Sequence, residues 1–301
     1  MQLAVAGHAN LDVQLQVQEL PKPGASVRVL DRRTVWGGTA ANIARHAGGL
    51  GLPVRLWARV GDDFPADWRE ALESDGVDLT FLDVARGERT PTCFILSDLL
   101  DRQSYCMDEG PMGKLAENPV GPEILNGLDE DSWLHIATGD PLGYAPVADH
   151  ARKAGIPMAL DPGQELRFQY DERSLRGMLA HSQILFANDF ELRVACDLLG
   201  AKSAQDLLEL VETVVVTHAE KGASLHRRRH ELVHLPAFPT RVVDATGAGD
   251  AFRAGWYAAL RDGKPMPVAL KWGLAAAATK VQHPGGQARV VRPADLQAYL
   301  R

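Results

Sequence analysis

The stretch with the clearest chemical meaning runs from residue 244 to residue 256, where two glycines and an aspartate precede an apolar segment. Phe252 and Trp256 recur at helical spacing, which predicts that a helix begins at the glycines. The first turn of a helix has unpaired backbone N–H groups, and glycines let an anion approach them closely. Asp250 would lie beside that anion site, where a carboxylate suits a base that deprotonates a hydroxyl during phosphoryl transfer.

A purely structural interpretation of this stretch is also open. Thr246 would cap the helix, and Asp250 would only favour the positive end of the helix dipole. Short motifs have many false matches, so the choice between the two interpretations depends on the rest of the chain.

Length, composition and charge define the class of protein. The 301 residues are enough for one large core or two modest ones, and 46% hydrophobic with 24% charged residues is ordinary for a globular protein. The net charge of −7 argues against nucleic acid or an anionic membrane as a partner. Without a leader segment or a membrane-length apolar run, and with three widely spaced cysteines, we expect a cytoplasmic protein whose free thiols serve in packing.

Alternating strand-like and helix-like segments predict the fold. The predicted strands cover 3–7, 54–60, 133–137, 157–161, 184–187 and 213–217. The predicted helices cover 64–75, 144–154, 172–181, 190–199 and 203–210. Such alternation is typical of an α/β protein with a mostly parallel sheet and helices on both faces.

Two further pairs of strand-like segments lie outside this alternation. Segments 13–18 and 27–35 flank a Pro-Lys-Pro-Gly turn, and segments 90–97 and 102–108 form the second pair. We expect these four segments to form a small separate sheet that covers a site. The chain would then be a single α/β domain spanning 1–301, with a lid inserted at about 12–36 and 88–110.

Polar residues follow several predicted strands, at the edge where open α/β sheets bind ligands. Asn10 and Asp12 follow the first strand and are candidates to bind hydroxyls, although Asn10 alternatively only turns the chain. Asn188 and Glu191 follow another strand, and their spacing taken alone favours a capping box. The chain lacks the GxGxxG pattern of a dinucleotide site and the P-loop motif, so neither class of nucleotide site is expected.

Four motifs along the chain resemble those of the PfkB, or ribokinase-like, family of small-molecule kinases, and they follow one another in the same order as in that family. Residues 244–250 are similar to its DTxGAGD signature, and Gly37-Gly38 with Asn42 is similar to its N-terminal glycine motif. Residues 188–191 match its NxxE element, and residues 217–222 resemble its TxGxxG turn. Ala245 and Ala219 depart from the usual residues of these motifs, the second by replacing a glycine near the nucleotide.

The resemblance implies a Rossmann-like αβα sandwich with a small β-sheet lid and an ATP- and Mg²⁺-dependent kinase. Asp250 would be the catalytic base toward a hydroxymethyl group, and the anion-hole amides would belong to Gly247, Ala248 and Gly249. Arg253, just beyond them, would either approach a phosphate or lie on the surface.

The resemblance also implies where the ligands bind. The residues holding sugar hydroxyls would be Asn10, Asp12, Gly38 and Asn42. The residues near ATP would be Asn188, Glu191, Thr217, Gly222 and Gly249, with Glu191 reaching Mg²⁺ through water. Residues 283–286 would shape the adenine pocket. Binding of a monovalent cation such as K⁺ near Asp244 and Thr246 is left open.

Several stretches, such as residues 7–12 and 135–141, look closest to archaeal-type, broad-specificity nucleoside kinases. We therefore expect phosphorylation of the 5′-hydroxyl of adenosine, inosine or guanosine, with a free sugar such as ribose or fructose as the alternative. A nucleoside needs room for its base. Tyr105, Met107 and Met112 would line that space, unless they are ordinary packing residues.

Other classes of protein compete with a kinase. A silent relative that only binds a ligand would have no need for a base beside an anion hole, and a dehydrogenase is a distant third. An uncovered edge of the lid sheet would invite pairing with a second copy, so a homodimer through the lid is expected.

Overall fold

The computed structural model describes residues 1–100 and 102–300. The strands are β1 Leu3–Ala6, β2 Asn10–Val17, β3 Val29–Gly37, β4 Val54–Trp57, β5 Arg59–Gly61, β6 Val77–Asp78, β7 Asp83–Ala85, β8 Thr92–Ser97, β9 Gln103–Asp108, β10 Trp133–Ile136, β11 Met158–Leu160, β12 Ile184–Asn188, β13 Thr213–Thr217, β14 Ala223–Arg227 and β15 Val233–Leu235. The helices are α1 Thr39–Gly49, α2 Ala66–Ser74, α3 Pro141–Lys153, α4 Glu172–Leu179, α5 Asp189–Leu199, α6 Ala204–Leu207, α7 Ala248–Arg261, α8 Met266–Lys280 and α9 Pro293–Leu300.

Nine strands form the main sheet, in the order β15-β14-β13-β12-β11-β10-β1-β4-β6. The strands from β13 to β6 are parallel, and β14 and β15 add an antiparallel edge. The predicted segment 54–60 is interrupted at Ala58, so that β4 stays in the main sheet while β5 pairs with β7 in a separate two-stranded sheet. The predicted α/β class with a mostly parallel sheet is confirmed.

Helices cover both faces of the main sheet, as the alternation predicted. Leu3 and Val5 of β1 belong to a core formed with α1, α2, α7 and α8, whereas Ala4 and Ala6 belong to a second core formed with α3, α4 and α5. Successive side chains of one strand thus feed two cores, because they point to opposite faces of the sheet. None of the helices within the described ranges is long and apolar enough to cross a membrane.

Helix boundaries differ from the predicted ones where local capping decides them. The predicted helix 144–154 begins earlier, at Pro141, because the Asp140 side chain accepts a hydrogen bond from the Leu142 N–H and proline suits the first helical position. Helix α6 covers only Ala204–Leu207, shorter than the predicted 203–210.

A separate four-stranded sheet, which we call the small sheet, has the order β3-β2-β8-β9. It contains the four strand-like segments predicted outside the main alternation. Only three residues separate the end of β1 from the start of β2 at Asn10, so the small sheet starts at the carboxyl edge of the main sheet. Every residue of β9 is exposed, and Tyr105 keeps 62% of its surface accessible.

The three cysteines are free thiols in different surroundings. Cys196 is buried in the second core, as a packing role requires, and Cys93 is partly buried. Cys106 lies exposed on β9, so the expected packing role is wrong for this residue.

Candidate active site

Helix α7 begins at the glycines of the 244–256 stretch, and Gly247 is its N-cap with a left-handed backbone (φ 75°). A Cβ atom at Gly247 would lie 2.9 Å from the Cα of Gly286, so both conformation and space require glycine. None of the side chains that the structure describes caps this helix, so the interpretation of Thr246 as the cap is wrong.

The amides of this helix start are only partly available to a ligand. Among the described residues, none accepts a hydrogen bond from the N–H groups of Gly247 and Gly249. The Ala248 N–H, by contrast, donates to the Ala245 carbonyl at 3.1 Å. The expectation that all three amides form an anion hole therefore needs correction at Ala248, whose donor the turn itself uses.

Asp250 lies in the first turn of α7, half-buried, and faces α1. The side-chain nitrogen of Asn42 donates a 2.7 Å hydrogen bond to Asp250 Oδ2. Burial raises the pKa of Asp250 to about 6, while the Asn42 hydrogen bond and the Arg253 charge hold it lower than burial alone would. Near neutral pH the carboxylate is ionised yet more basic than an ordinary aspartate, which suits a general base.

The Asn42 amide is itself held by residues far away in the sequence. Its oxygen accepts a 2.9 Å hydrogen bond from Gln287 Nε2, and Gln287 Oε1 accepts one of 2.9 Å from the Trp68 indole. Sequence reasoning missed Gln287 and Trp68, because neither belongs to a recognisable motif.

Behind Asp250, Arg253 is buried and does not lie on the surface. Its guanidinium makes two hydrogen bonds to the Asp161 carboxylate, of 2.8 and 3.0 Å, and a third of 3.2 Å to the Gly249 carbonyl. Burial alone would raise the pKa of Asp161, but Arg253 and His135 together outweigh burial and lower it. The surface alternative for Arg253 is therefore wrong, and the residue braces the helix start through Gly249.

Asn188 and Glu191 form the capping box that their spacing allowed. Asn188 Oδ1 accepts from the N–H groups of Phe190 and Glu191, and the Asn188 N–H donates to Glu191 Oε2 at 2.8 Å. Burial and the nearby Asp161 carboxylate raise the pKa of Glu191 to about 7. This pair thus caps the start of α5 and also places a buried carboxyl group near Asp161 and Asp250.

The TxGxxG-like turn follows β13, where Thr217 lies opposite Asn188 in the strand register. Gly222 has a φ of 101°, and a Cβ atom there would collide with the Leu235 carbonyl. Ala219, in the position of the family's first glycine, also adopts a left-handed backbone (φ 49°). The turn therefore keeps a glycine-like conformation despite the substitution.

Asn10 and Asp12 lie at the start of β2, so the interpretation of Asn10 as a simple turn residue is wrong. Asn10 Nδ2 donates a 2.7 Å hydrogen bond to Asp12 Oδ1, and burial raises the pKa of Asp12 to about 6. The Asp12 carboxylate reaches within 2.5 Å of where a Cβ atom of Gly37 would be. Gly38, the N-cap of α1, has a φ of 90° and packs against the His8 carbonyl.

Asp244 holds the turn that precedes the helix start. Its Oδ1 accepts from the Thr246 N–H at 2.8 Å, and its Oδ2 accepts from the Gly285 N–H at 2.6 Å. Its carbonyl accepts from the Lys280 ammonium group at 2.9 Å. Sequence reasoning missed Lys280, because a basic residue at the end of a helix ordinarily indicates only helix capping.

The structure thus brings Asp250, Asn42 and the two free glycine amides into direct proximity, and it surrounds Asp250 with Asp161, Arg253 and Glu191. Asp12 and Asn10 contact each other but make no hydrogen bond to Asp250 within the described chain. Of the three residues expected to line space for a base, Tyr105 and Met107 lie on β9, whereas Met112 is buried in the second core.

Comparisons with known proteins identify the family of this chain. A model of the pfkB family carbohydrate kinases matches residues 1–292. A nucleoside kinase of Methanothermobacter thermautotrophicus is 31% identical over 292 residues, covering 96% of this chain and 92% of the relative. An ATP-dependent ribose-1-phosphate kinase of Halopiger xanaduensis is 33% identical over 266 residues, which cover 86% of this chain and 84% of that relative. The crystal structure of the Methanocaldococcus jannaschii nucleoside kinase, 29% identical, superposes with a TM-score of 0.91 and covers 100% of this chain and 98% of that one.

The chain therefore belongs to the pfkB family of carbohydrate kinases. It has the ribokinase-type fold and is a phosphotransferase of the sugar and nucleoside kinase group, which acts on a hydroxyl group and uses ATP.

Proposed function

We propose that this kinase transfers the γ-phosphoryl group of ATP to the 5′-hydroxyl of a nucleoside such as adenosine, inosine or guanosine. The observation that carries the chemistry is the Asp250 carboxylate, held by Asn42 beside the free N–H groups of Gly247 and Gly249. The nucleoside kinase names of two similar proteins support the choice of substrate.

In the proposed reaction, Asp250 accepts the proton of the hydroxymethyl group as its oxygen attacks the phosphorus. The Gly247 and Gly249 amides stabilise the negative charge on the transferring group. Because the helix start already fixes these amides, their dipoles need not reorient during the reaction. The Asn42 hydrogen bond orients the Asp250 carboxylate, and the Arg253 contact to Gly249 keeps the helix start in place.

The acidic surroundings of Glu191 fit a role beside Mg²⁺. The Asp161 and Asp250 carboxylates raise the pKa of Glu191, and the Arg253 charge lowers it. A further cation would favour the ionised form of Glu191, and carboxylate oxygens are preferred magnesium ligands. Magnesium bound with ATP would neutralise phosphate charge, with Glu191 holding it through water. Thr217, Gly222 and Asn188 would border the nucleotide.

Asn10, Asp12, Gly38 and Asn42 would bind the ribose hydroxyls. The Asp12 carboxylate and the Asn10 amide already share one hydrogen bond, which leaves further acceptor and donor positions on both side chains. Tyr105 and Met107, exposed on β9, would contact the base once the small sheet lies over the substrate.

The test is ADP formation with a panel of nucleosides, ribose, fructose and ribose 1-phosphate. A kcat/KM highest for a nucleoside supports the proposal. A preference for a free sugar or for ribose 1-phosphate, the substrate in the name of the Halopiger relative, refutes the nucleoside assignment while leaving the kinase chemistry intact. ADP formation with none of them favours a ligand-binding relative.

The Asp250→Asn variant tests the base independently of substrate choice. We expect it to lose about 10³-fold or more in kcat while still binding nucleoside, since a missing base affects chemistry rather than ground-state binding. Asp262→Asn, an exposed residue directly after the same helix, is the matched control and should keep full activity. Near-normal turnover of Asp250→Asn would refute the assignment of the base.

We also propose that two copies associate through the small sheet. Its strands expose Leu30 and Phe94, which keep 46% and 38% of their surface accessible, and a sheet uncovered in this way invites pairing. Sedimentation equilibrium of the wild type and of Phe94→Lys would test this. A monomeric wild type at micromolar concentration would contradict it.

A further inference from the structure

Lys280 is the last residue of α8 and is only 1% exposed, although most of its helical neighbours are alanines. A buried ammonium group costs free energy unless charged or polar partners compensate. Here the Nζ donates to the Asp244 carbonyl, in the turn that leads to the free amides of Gly247 and Gly249.

Three titratable groups face this ammonium group. Burial lowers the pKa of Lys280, but the Asp244 and Asp250 carboxylates both oppose that shift. The third group, His46 on α1, has its pKa lowered to about 4, mainly by burial, so it is neutral at physiological pH. Its Nε2 hydrogen-bonds the Gly286 carbonyl. The Lys280 charge therefore lies near both carboxylates at this point of the site.

Donors of the protein contact all three oxygens of Asp244. The Thr246 and Gly285 amides donate to its two carboxylate oxygens, and the Lys280 ammonium group donates to its carbonyl. An inorganic cation bound to these oxygens would lie within a few ångströms of that ammonium group, where like charges repel strongly.

We infer that Lys280 is a built-in monovalent cation of the proposed kinase site, which takes the place of K⁺ at Asp244 and Thr246. Lys280 is thus a positioning residue: its charge fixes the Asp244 turn and, through it, the direction of the glycine amides. The expected effect of Lys280 on kcat rests on the proposed function, whereas its effect on the Asp244 turn does not. This kinase does not require added K⁺ or Na⁺.

The first experiment compares wild-type kcat in K⁺, Na⁺ and tetramethylammonium chloride at constant ionic strength. We expect changes within about twofold, because the protein itself supplies the cation at this position. Stimulation by K⁺ of about tenfold or more would overturn the inference. This measurement uses only the wild-type protein, so it does not depend on whether a variant folds.

The second experiment uses chemical rescue. Lys280→Ala should lose about tenfold or more in kcat and regain several-fold with ethylammonium, which supplies the missing charge in the space left by the side chain. Lys280→Met, which fills that space without charge, should lose activity and show no rescue. Lys271→Met, a partly exposed lysine of the same helix, is the control and should behave as the wild type. Unchanged kcat in Lys280→Met would overturn the inference.

A thermal readout separates this inference from the proposed function. Ethylammonium should raise the Tm of Lys280→Ala relative to tetramethylammonium and leave the Tm of the wild type and of Lys280→Met unchanged. If no substrate gave ADP but this selective Tm shift appeared, the function would fail and the role of Lys280 as internal cation would stand. Equal Tm responses in all three proteins would overturn that role.

Discussion

Gln287 and Asn42 lie 245 residues apart in the sequence, and the side-chain nitrogen of Gln287 donates a hydrogen bond of 2.9 Å to the side-chain oxygen of Asn42. The Trp68 indole N–H can only donate, so it fixes which end of Gln287 faces it. Gln287 in turn fixes the orientation of Asn42, whose nitrogen must then point at Asp250. One donor thus determines the direction of every amide in the chain that ends at the proposed base.

This chain predicts the effect of Gln287→Glu. A glutamate can still accept from Trp68 but cannot donate to Asn42 when ionised, so the Asn42 amide loses its fixed orientation and Asp250 its donor. We expect kcat to fall by about 10- to 100-fold with a smaller change in KM. Steady-state kinetics would measure this, with the exposed Gln297→Glu as control. A change confined to KM would contradict a role in orienting the base.

The raised pKa of Asp250, about 6, predicts the pH dependence of the reaction. A base must be deprotonated, so kcat/KM should rise with pH, with a midpoint near 6, and level off above it. Asn42 lowers this pKa, so Asn42→Ala should move the midpoint to higher pH. A profile that is flat between pH 5 and 8 would exclude Asp250 as the titrating base.

The same raised pKa predicts that the ionised Asp250 carboxylate lowers the stability of the folded protein. Because the folded-state pKa is raised, the folded protein binds the proton more tightly than the unfolded chain, and stability falls as pH rises from about 4 to about 6. At pH 7.5, Asp250→Asn should therefore raise the free energy of unfolding by about 1–2 kcal/mol, and below pH 4 the two proteins should be equal. Urea unfolding at both pH values would measure this, and a less stable variant at pH 7.5 would contradict it.

The buried pair of Arg253 and Asp161 predicts an asymmetry between single and double variants. Arg253→Met leaves the Asp161 carboxylate buried without its partner, at a cost of about 3–5 kcal/mol of unfolding free energy. The double variant Arg253→Met with Asp161→Leu removes both charges and should recover a large part of that loss. Denaturant unfolding would show whether it does.

The exposed pair of Arg152 and Asp149 provides the control for this comparison. Arg152→Met should cost less than about 1 kcal/mol, because solvent screens an exposed ion pair. Equal losses at the buried and the exposed pair would contradict the role of Arg253 as a brace of the helix start.

The left-handed backbone of Ala219 predicts a stabilising substitution. A non-glycine residue with a φ of 49° is strained, and glycine relieves that strain at some cost in the entropy of the unfolded chain. Ala219→Gly should raise the free energy of unfolding by about 0.5–1 kcal/mol. Ala145→Gly, on the exposed side of α3, should lower it by about 1 kcal/mol. A loss of stability at both positions would contradict strain at Ala219.

Local patterns in the sequence were enough for most of the architecture and for the position of the proposed base. Helical spacing of Phe252 and Trp256 correctly located the start of α7, and apolar runs located six of the nine strands of the main sheet, leaving out β6, β14 and β15. They did not show that β2 begins at Asn10, because the polar residues there look like a loop while their burial arises from tertiary packing.

Side-chain partners from distant parts of the chain were beyond such patterns. Arg253 was open to two interpretations until the fold placed Asp161 beside it, and Gln287 and Lys280 carried no periodic or motif signal at all. Each of these contacts joins elements whose relative positions depend on the whole sheet, so no short window of sequence contains them.

The contacts of Gly285 and Gln287 have a consequence for a shortened form of the protein. Both residues follow helix α7 in the sequence, yet they hold the Asp244 turn and the Asn42 amide. A polypeptide cut directly after helix α7 would keep Asp250 but lose both contacts. We therefore expect such a fragment to bind neither ATP nor the nucleoside productively.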